Sequence, residues 1–339
     1  IISETSDGLL VQPRPTRGQT LPRSLHCGES GSTLRFLLPV AAALGIECTF
    51  TGSGRLPVRP IEPLKRALAQ HGVRVEGDSL PFRISGRLQG GIYALPGNIS
   101  SQFITGLLFA LPLCPEDSEL HLSTSLVSGA YVRMTESVLQ QYGIRVHRTE
   151  TGWIIPGGQC YAGPGAVSAE GDWSAGAVWH AANYLGSRVH CTGLNPHSIQ
   201  ADQAILSLKK RLGSTLCAAD TPDLVPLIAI IACGYHGVTT ITDAARLRSK
   251  ESDRLRASAD LVLSLGGFAK ETDDGLVVHG KALDGGLVDC YGDHRIVMAA
   301  AIAATAARGN VTLLDVEAVS KSYPNFFEDF IALGGVVRV

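Results

Sequence analysis

Aromatic side chains are scarce, at 6% of 339 residues, so the packing must be thin and aliphatic. No two of the eight cysteines form a C-x-x-C. That excludes a zinc knuckle and a disulfide scaffold, and leaves the scattered, reduced thiols of a cytoplasmic protein. No run of 18 apolar residues goes unbroken and no signal peptide opens the sequence, so neither a membrane span nor export is expected. A basic excess is also lacking. The net charge of −2 argues against a nucleic-acid footprint or an anionic membrane as partner, so any attraction for anions must be local. No metal-ligand set and no nucleotide fingerprint is present, and neither a metal nor a cofactor is expected. With 45% hydrophobic and 18% charged residues the chain is globular, and it is long enough for two domains with full cores. Its first residue is Ile1, not Met, and the expectation is that the gene product starts earlier.

What is present is a repeat. A polar motif bearing Gly or Asp precedes an apolar helix, which ends near Gly and runs into a strand, at 28–51, 100–123, 171–192, 223–242 and 292–314. A more charged helix follows and closes on a similar phrase: L-A-Q-H-G-V-R-V at 68–75, L-Q-Q-Y-G-I-R-V at 139–146, K-K-R-L-G at 209–213, L-S-L-G-G at 263–267 and I-A-L-G-G-V-V-R-V at 331–339. The Gly ends the helix in a left-handed conformation, and the alternating Val/Arg run reads as a strand. Hairpins are expected at 149–155 and 272–279. Each unit is thus βαβαββ, an α/β arrangement. Residues 1–11 read as the closing hairpin of a further unit whose helices lie outside this sequence. Five units and that remnant suggest six, three to a domain, with the first largely missing. The break falls near 170–171, after the Pro/Gly-rich 156–165, and gives domains 1–170 and 171–339. The third unit has no room for its hairpin between Gly213 and Asp223.

The most charged stretch is R-L-R-S-K-E-S-D-R-L at 246–255. Leu255, Ala259, Val262 and Leu265 follow at helical spacing, which predicts an amphipathic helix with Lys250 and Arg254 on one face and Glu251 beside both. Taken alone, K-E-x-D-R is more often a solvated face. The other motifs also lie where apolar helices start, and such N-termini bind phosphates and carboxylates. In G-E-S-G-S-T (28–33), Gly31 would let backbone N–H groups approach an anion; an ordinary cap is the plain alternative. Ser100, Ser101 and Gln102 offer two hydroxyls and an amide, one Ser serving as the cap. Asp223 starts a very apolar helix and is by itself most simply structural. Asp293-His294-Arg295 opens another, where a buried Arg295 would require an anionic partner. Arg59 and Lys321 each precede the charged helix of their unit. Together Arg59, Lys250, Arg254, Arg295 and Lys321, with Asp223 and Glu251, suit a cleft between two domains for proton transfer on a heavily anionic substrate.

S-S-Q-F at 100–103, P-D-L-V-P at 222–226, K-E-S-D-R-L at 250–255, G-D-H-R at 292–295 and K-S-Y-P-N-F-F at 321–327, in this order, resemble the 5-enolpyruvylshikimate-3-phosphate synthase family over essentially the whole chain. The resemblance implies two domains of three βαβαββ units, an inside-out α/β barrel, closing over a cleft. It implies transfer of the enolpyruvyl group of phosphoenolpyruvate to the 5-hydroxyl of shikimate 3-phosphate. By resemblance, Ser100, Ser101, Gln102, Ser128, Asp223 and Lys250 hold shikimate 3-phosphate. Gly31, Arg59, Gln102, Arg254, Arg295 and Lys321 hold phosphoenolpyruvate. Asp223 is the base on the hydroxyl, and Glu251 handles the proton at the methylene carbon. A monomer in the cytoplasm is implied, with no nucleic-acid or membrane partner.

The sequence departs from the family in two places. The opening P-G-x-K-S-x-x-x-R motif is absent, and a protein lacking it is expected to be inactive. Glu29 stands where the family usually has Asn. Gly31 is where Ala in relatives hinders glyphosate, so sensitivity is expected. The rival readings are a UDP-N-acetylglucosamine enolpyruvyl transferase, whose loop cysteine has no counterpart here, and a non-catalytic remnant.

Overall fold

Side-chain caps start the apolar helices where the motifs lie. In the computed structural model, which describes residues 2–5, 8–11, 23–208 and 210–338, Ser30 accepts from the Thr33 amide at 3.1 Å and opens the helix Gly31–Ala43. Ser100 accepts from the Gln102 amide at 3.3 Å and opens Ser101–Ala110. Asp172, Asp253 and Asp293 do the same for Trp173–Tyr184, Arg254–Ser264 and His294–Ala304. Each cap satisfies an N–H that has no partner inside its helix and contributes about 1 kcal/mol. Val225–Cys233 has no side-chain cap; it continues a 3-10 turn, Pro222–Leu224, and all nine of its residues are buried.

One strand order recurs in three four-stranded sheets. Ser24–His26 pairs parallel with Cys48–Thr51, which pairs antiparallel with Phe82–Gly86, which pairs antiparallel with Val73–Glu76. Gly91–Leu95, Ser118–Leu122, Gly152–Ile155 and His147–Arg148 repeat that order. So do Thr215–Cys217, Val238–Thr242, Leu276–His279 and Phe268–Glu271. A helix links the two parallel strands in each case, as parallel pairing requires. Gly286–Asp289 and Val311–Leu314 form a two-stranded parallel sheet, and Ile2–Thr5 and Gly8–Val11 an antiparallel hairpin. The architecture is mixed α/β, without a closed barrel among the described residues. Buried apolar side chains gather in two clusters, one within 27–155 and one within 173–330.

Several elements differ from the sequence reading. No strand forms at 188–192 or at 335–338, and Val339 lies outside the described residues. Alternating residues make a strand only beside a partner edge, and neither segment is paired among the described residues. Ile144–Val146 is irregular, and the strand starts at His147. In the unit after 171 the second helix is only four residues long, Ile205–Leu208. Residues 245–249 form a 3-10 turn, and Lys250 and Glu251 precede the helix rather than lie on it, because Asp253 is its cap.

Candidate active site

Gly106 brings the first two capped helices into contact. A Cβ there would stand 2.1 Å from the Arg35 carbonyl oxygen, so the helices Gly31–Ala43 and Ser101–Ala110 cross at a distance no other residue permits. Arg35, buried in an apolar helix, thereby reaches Gln102, donating Nη1 to Oε1 at 2.7 Å and Nη2 to the Pro60 carbonyl at 2.6 Å. The Pro60 bond anchors the loop that carries Arg59, which is 7% exposed. Arg59 and Arg35 each keep a buried Nε–H without a partner among the described residues.

Arg254 organises the opposite wall. It is 1% exposed and held by three carboxylates. Asp293 takes Nε at 2.9 Å and Nη2 at 3.1 Å, Asp223 takes Nη1 at 2.8 Å, and Glu251 takes Nη2 at 2.7 Å. Asp223 is also approached by Arg295 at 3.3 Å and Lys250 at 3.8 Å. Arg59 crosses from the other half of the chain to Glu251 at 3.0 Å, and Lys321 meets Glu29 at 2.8 Å. The backbone also joins the halves: the Ser128 amide, in a left-handed residue, donates to the Ala219 carbonyl at 2.9 Å.

The electrostatics follow from these contacts. Burial would raise the Asp223 carboxyl, but Lys250, Arg295 and Arg254 outweigh it and hold the group well below the usual carboxylate range. Burial is likewise overcome at Glu251, where Arg254, Arg59 and Lys250 bring the carboxyl to about 2. Burial lowers Lys250 below the ordinary lysine value, although Asp223 opposes the shift. Burial, with Arg295 and Arg254 nearby, brings His294 down to about 4. Such perturbed groups in one cleft mark a functional site.

Two adjoining cavities, of about 410 and 430 Å³, share Ser32, Arg59, Gln102, Asp223 and Lys250 in their walls. The first is lined also by Ser100, Ser101, Ser128, Tyr131 and Arg246, with Phe36, Phe109 and Met134. The second is lined also by Gly31, Glu29, Glu251, Arg254, His294 and Lys321. The residues singled out in the sequence therefore converge, except that Arg295 lies behind Asp223 and lines neither cavity. Gly31 supplies room: a Cβ there would stand 2.7 Å from Arg35 Nη1 and 2.9 Å from Arg59 Nη2. Sequence reasoning missed Arg35, although a lone Arg in an apolar helix is the signal it used for Arg295. It gave Asp293 no partner; the carboxylate both caps its helix and is the main partner of Arg254. It gave Arg246 and Tyr131 no role. Arg246 Nη2 donates to the Ala219 and Ala218 carbonyls at 2.5 and 3.3 Å.

Comparisons with known proteins point one way. The family model described as EPSP synthase (3-phosphoshikimate 1-carboxyvinyltransferase) matches residues 1–221 and 215–330. A 3-phosphoshikimate 1-carboxyvinyltransferase of Clostridium acetobutylicum is 40% identical, the match covering 93% of this chain and 78% of that one. One from Methanocorpusculum labreanum is 37% identical, with 93% and 79% covered. The solved EPSP synthase of Acinetobacter baumannii superposes with a TM-score of 0.78 at 23% identity, covering 100% of this chain and 86% of that one, a likeness of fold.

Proposed function

We propose how this cleft works from one premise: the chain belongs to the EPSP synthase family. It transfers the enolpyruvyl group of phosphoenolpyruvate to shikimate 3-phosphate and releases phosphate, a step of the shikimate pathway that leads to aromatic amino acids. The roles of the residues are our reading. Ser100, Ser101, Gln102 and Ser128 hold shikimate 3-phosphate in the cavity they line, with Asp223 and Lys250 at its far end. Arg59, Arg254 and Lys321, with Gly31 and Gln102, hold phosphoenolpyruvate, and Arg295, which lines neither cavity, joins them by turning from Asp223.

In the free protein Asp223 and Glu251 are counter-ions to these cations. An incoming anion competes for them. Every cation that turns toward the substrate raises the proton affinity of the carboxylate it leaves, so binding makes Asp223 and Glu251 groups that can move protons. Glu251 then delivers a proton to the methylene carbon, and Asp223 takes the proton of the attacking hydroxyl. In the tetrahedral adduct Glu251 takes a proton back from the methyl carbon as the C–O bond to phosphate breaks, which restores the enol double bond; phosphate leaves against the cations, and closure of the two halves excludes water.

The observation that carries this reading is that Asp223 and Glu251 meet on Arg254, at 2.8 and 2.7 Å, where the two halves of the chain face each other. We read the architecture as two domains, 1–170 and 171–339, built from βαβαββ units in an inside-out barrel. The repeated strand order and the two core clusters support it. We read the protein as a monomer and its setting as the cytoplasm. We also read the space at Gly31 as leaving the protein sensitive to glyphosate, which a full-length enzyme unaffected by millimolar-range inhibitor would refute.

The test is phosphate release by the full-length protein from phosphoenolpyruvate with either acceptor. Release with shikimate 3-phosphate alone is expected. Release only with UDP-N-acetylglucosamine would change the acceptor, and release with neither would mark an inactive remnant.

A further inference from the structure

Two ion pairs span the halves of the chain at the cleft, Arg59 with Glu251 at 3.0 Å and Lys321 with Glu29 at 2.8 Å. Glu251 also holds Arg254 and is assigned to proton transfer. Glu29 has neither duty: among the described residues its carboxylate has no partner but Lys321. Its side chain lies over the turn at Gly54, where a Cβ would stand 2.5 Å from Glu29 Cδ, so that glycine makes the room it occupies. Lys321 donates also to the Gly292 carbonyl at 2.9 Å, which ties its ammonium to the loop leading into Asp293 and Arg295. Glu29 and Lys321 line the same cavity as Arg59, Asp223 and Glu251.

We propose that Glu29 sets the affinity for phosphoenolpyruvate: its carboxylate stands on Lys321 as an internal competitor, which the substrate anion must displace. The inference rests on the reading that Lys321 faces phosphoenolpyruvate. The side chains of Glu29 and Lys321 are 36% and 29% exposed, so solvent weakens the pair. Its loss is expected to change affinity about two- to fivefold, and less as salt rises.

Glu29→Gln keeps the shape and removes the charge. In the full-length enzyme at low salt, its KM for phosphoenolpyruvate is expected to fall about two- to fivefold, without a matching fall for shikimate 3-phosphate. Calorimetric binding of phosphoenolpyruvate should follow the same trend, free of any effect on turnover. Lys321→Met separates the two readings, since it must raise the KM for phosphoenolpyruvate. If it does not, the placement of phosphoenolpyruvate at Lys321 fails. If it does, and Glu29→Gln leaves phosphoenolpyruvate affinity unchanged or weaker, the competitor role alone is overturned. A parallel fall in both KM values would indicate a general loosening and would also overturn it.

Discussion

On one wall of the cleft Ser100, Ser101, Gln102 and Ser128 present hydroxyls and an amide beside Phe36, Phe109 and Met134. On the other, Asp223, Glu251 and Asp293 close around Arg254. The hydroxyls and amide of the first wall are neutral groups, which exchange water for ligand at little cost, with the cations Arg35 and Arg246 beside them. The second is already neutralised from within. Its cations are desolvated but paired, which offsets much of the cost of burying charge. Anion binding at the second wall is therefore an exchange of partners. At the first it is an addition.

The contrast breaks most sharply at the acids. Asp223→Ala and Glu251→Gln should each lower turnover by about 10²–10⁴, measured as phosphate release. Rates within tenfold of the parent would make the charged wall a structural feature only. Asp293→Asn tests the same wall through stability. Removing one partner of a buried pair costs about 3–5 kcal/mol, which urea unfolding would report; a loss under 1 kcal/mol would mean that Arg254 is held without it.

Acid should undo this wall before the neutral one. Glu251 and Asp293 ordinarily titrate at 4.5 and 3.8 and are held at about 2 in the fold. Depressed carboxyls stabilise the fold above their unfolded values, and that contribution is lost as pH falls from the ordinary carboxylate range toward 2. Thermal midpoints should drop across that window, with a shallower drop in Asp293→Asn. A flat profile would contradict the pairing.

The smallest effect belongs to the neutral wall. Ser101→Ala removes a hydroxyl worth roughly 1 kcal/mol, so the KM for shikimate 3-phosphate should rise about fivefold while that for phosphoenolpyruvate stays. Movement of both would merge the two walls into one site.

Local signals were legible where the physics is local, although a cap stood only as the plain alternative at these motifs. Ser30, Ser100 and Asp293 cap helices because an oxygen two or three residues from an amide reaches it whatever the rest of the chain does. The Gly-bounded phrases gave the recurring βαβαββ order, whose three complete copies share one pairing scheme. The same logic failed at 188–192 and 335–338, where an alternating pattern lacks a neighbour. It also misplaced Lys250 and Glu251 on a helix, since charge spacing cannot tell a helix from the turn before its cap.

The sequence by itself determined where the apolar helices start and the repeated units, because those follow from side-chain reach and periodicity. Only the tertiary structure decided which charges meet. Arg59 finds Glu251 and Glu29 finds Lys321 across 192 and 292 residues of chain. Such pairing is set by how the two halves pack, and no spacing in one dimension encodes it.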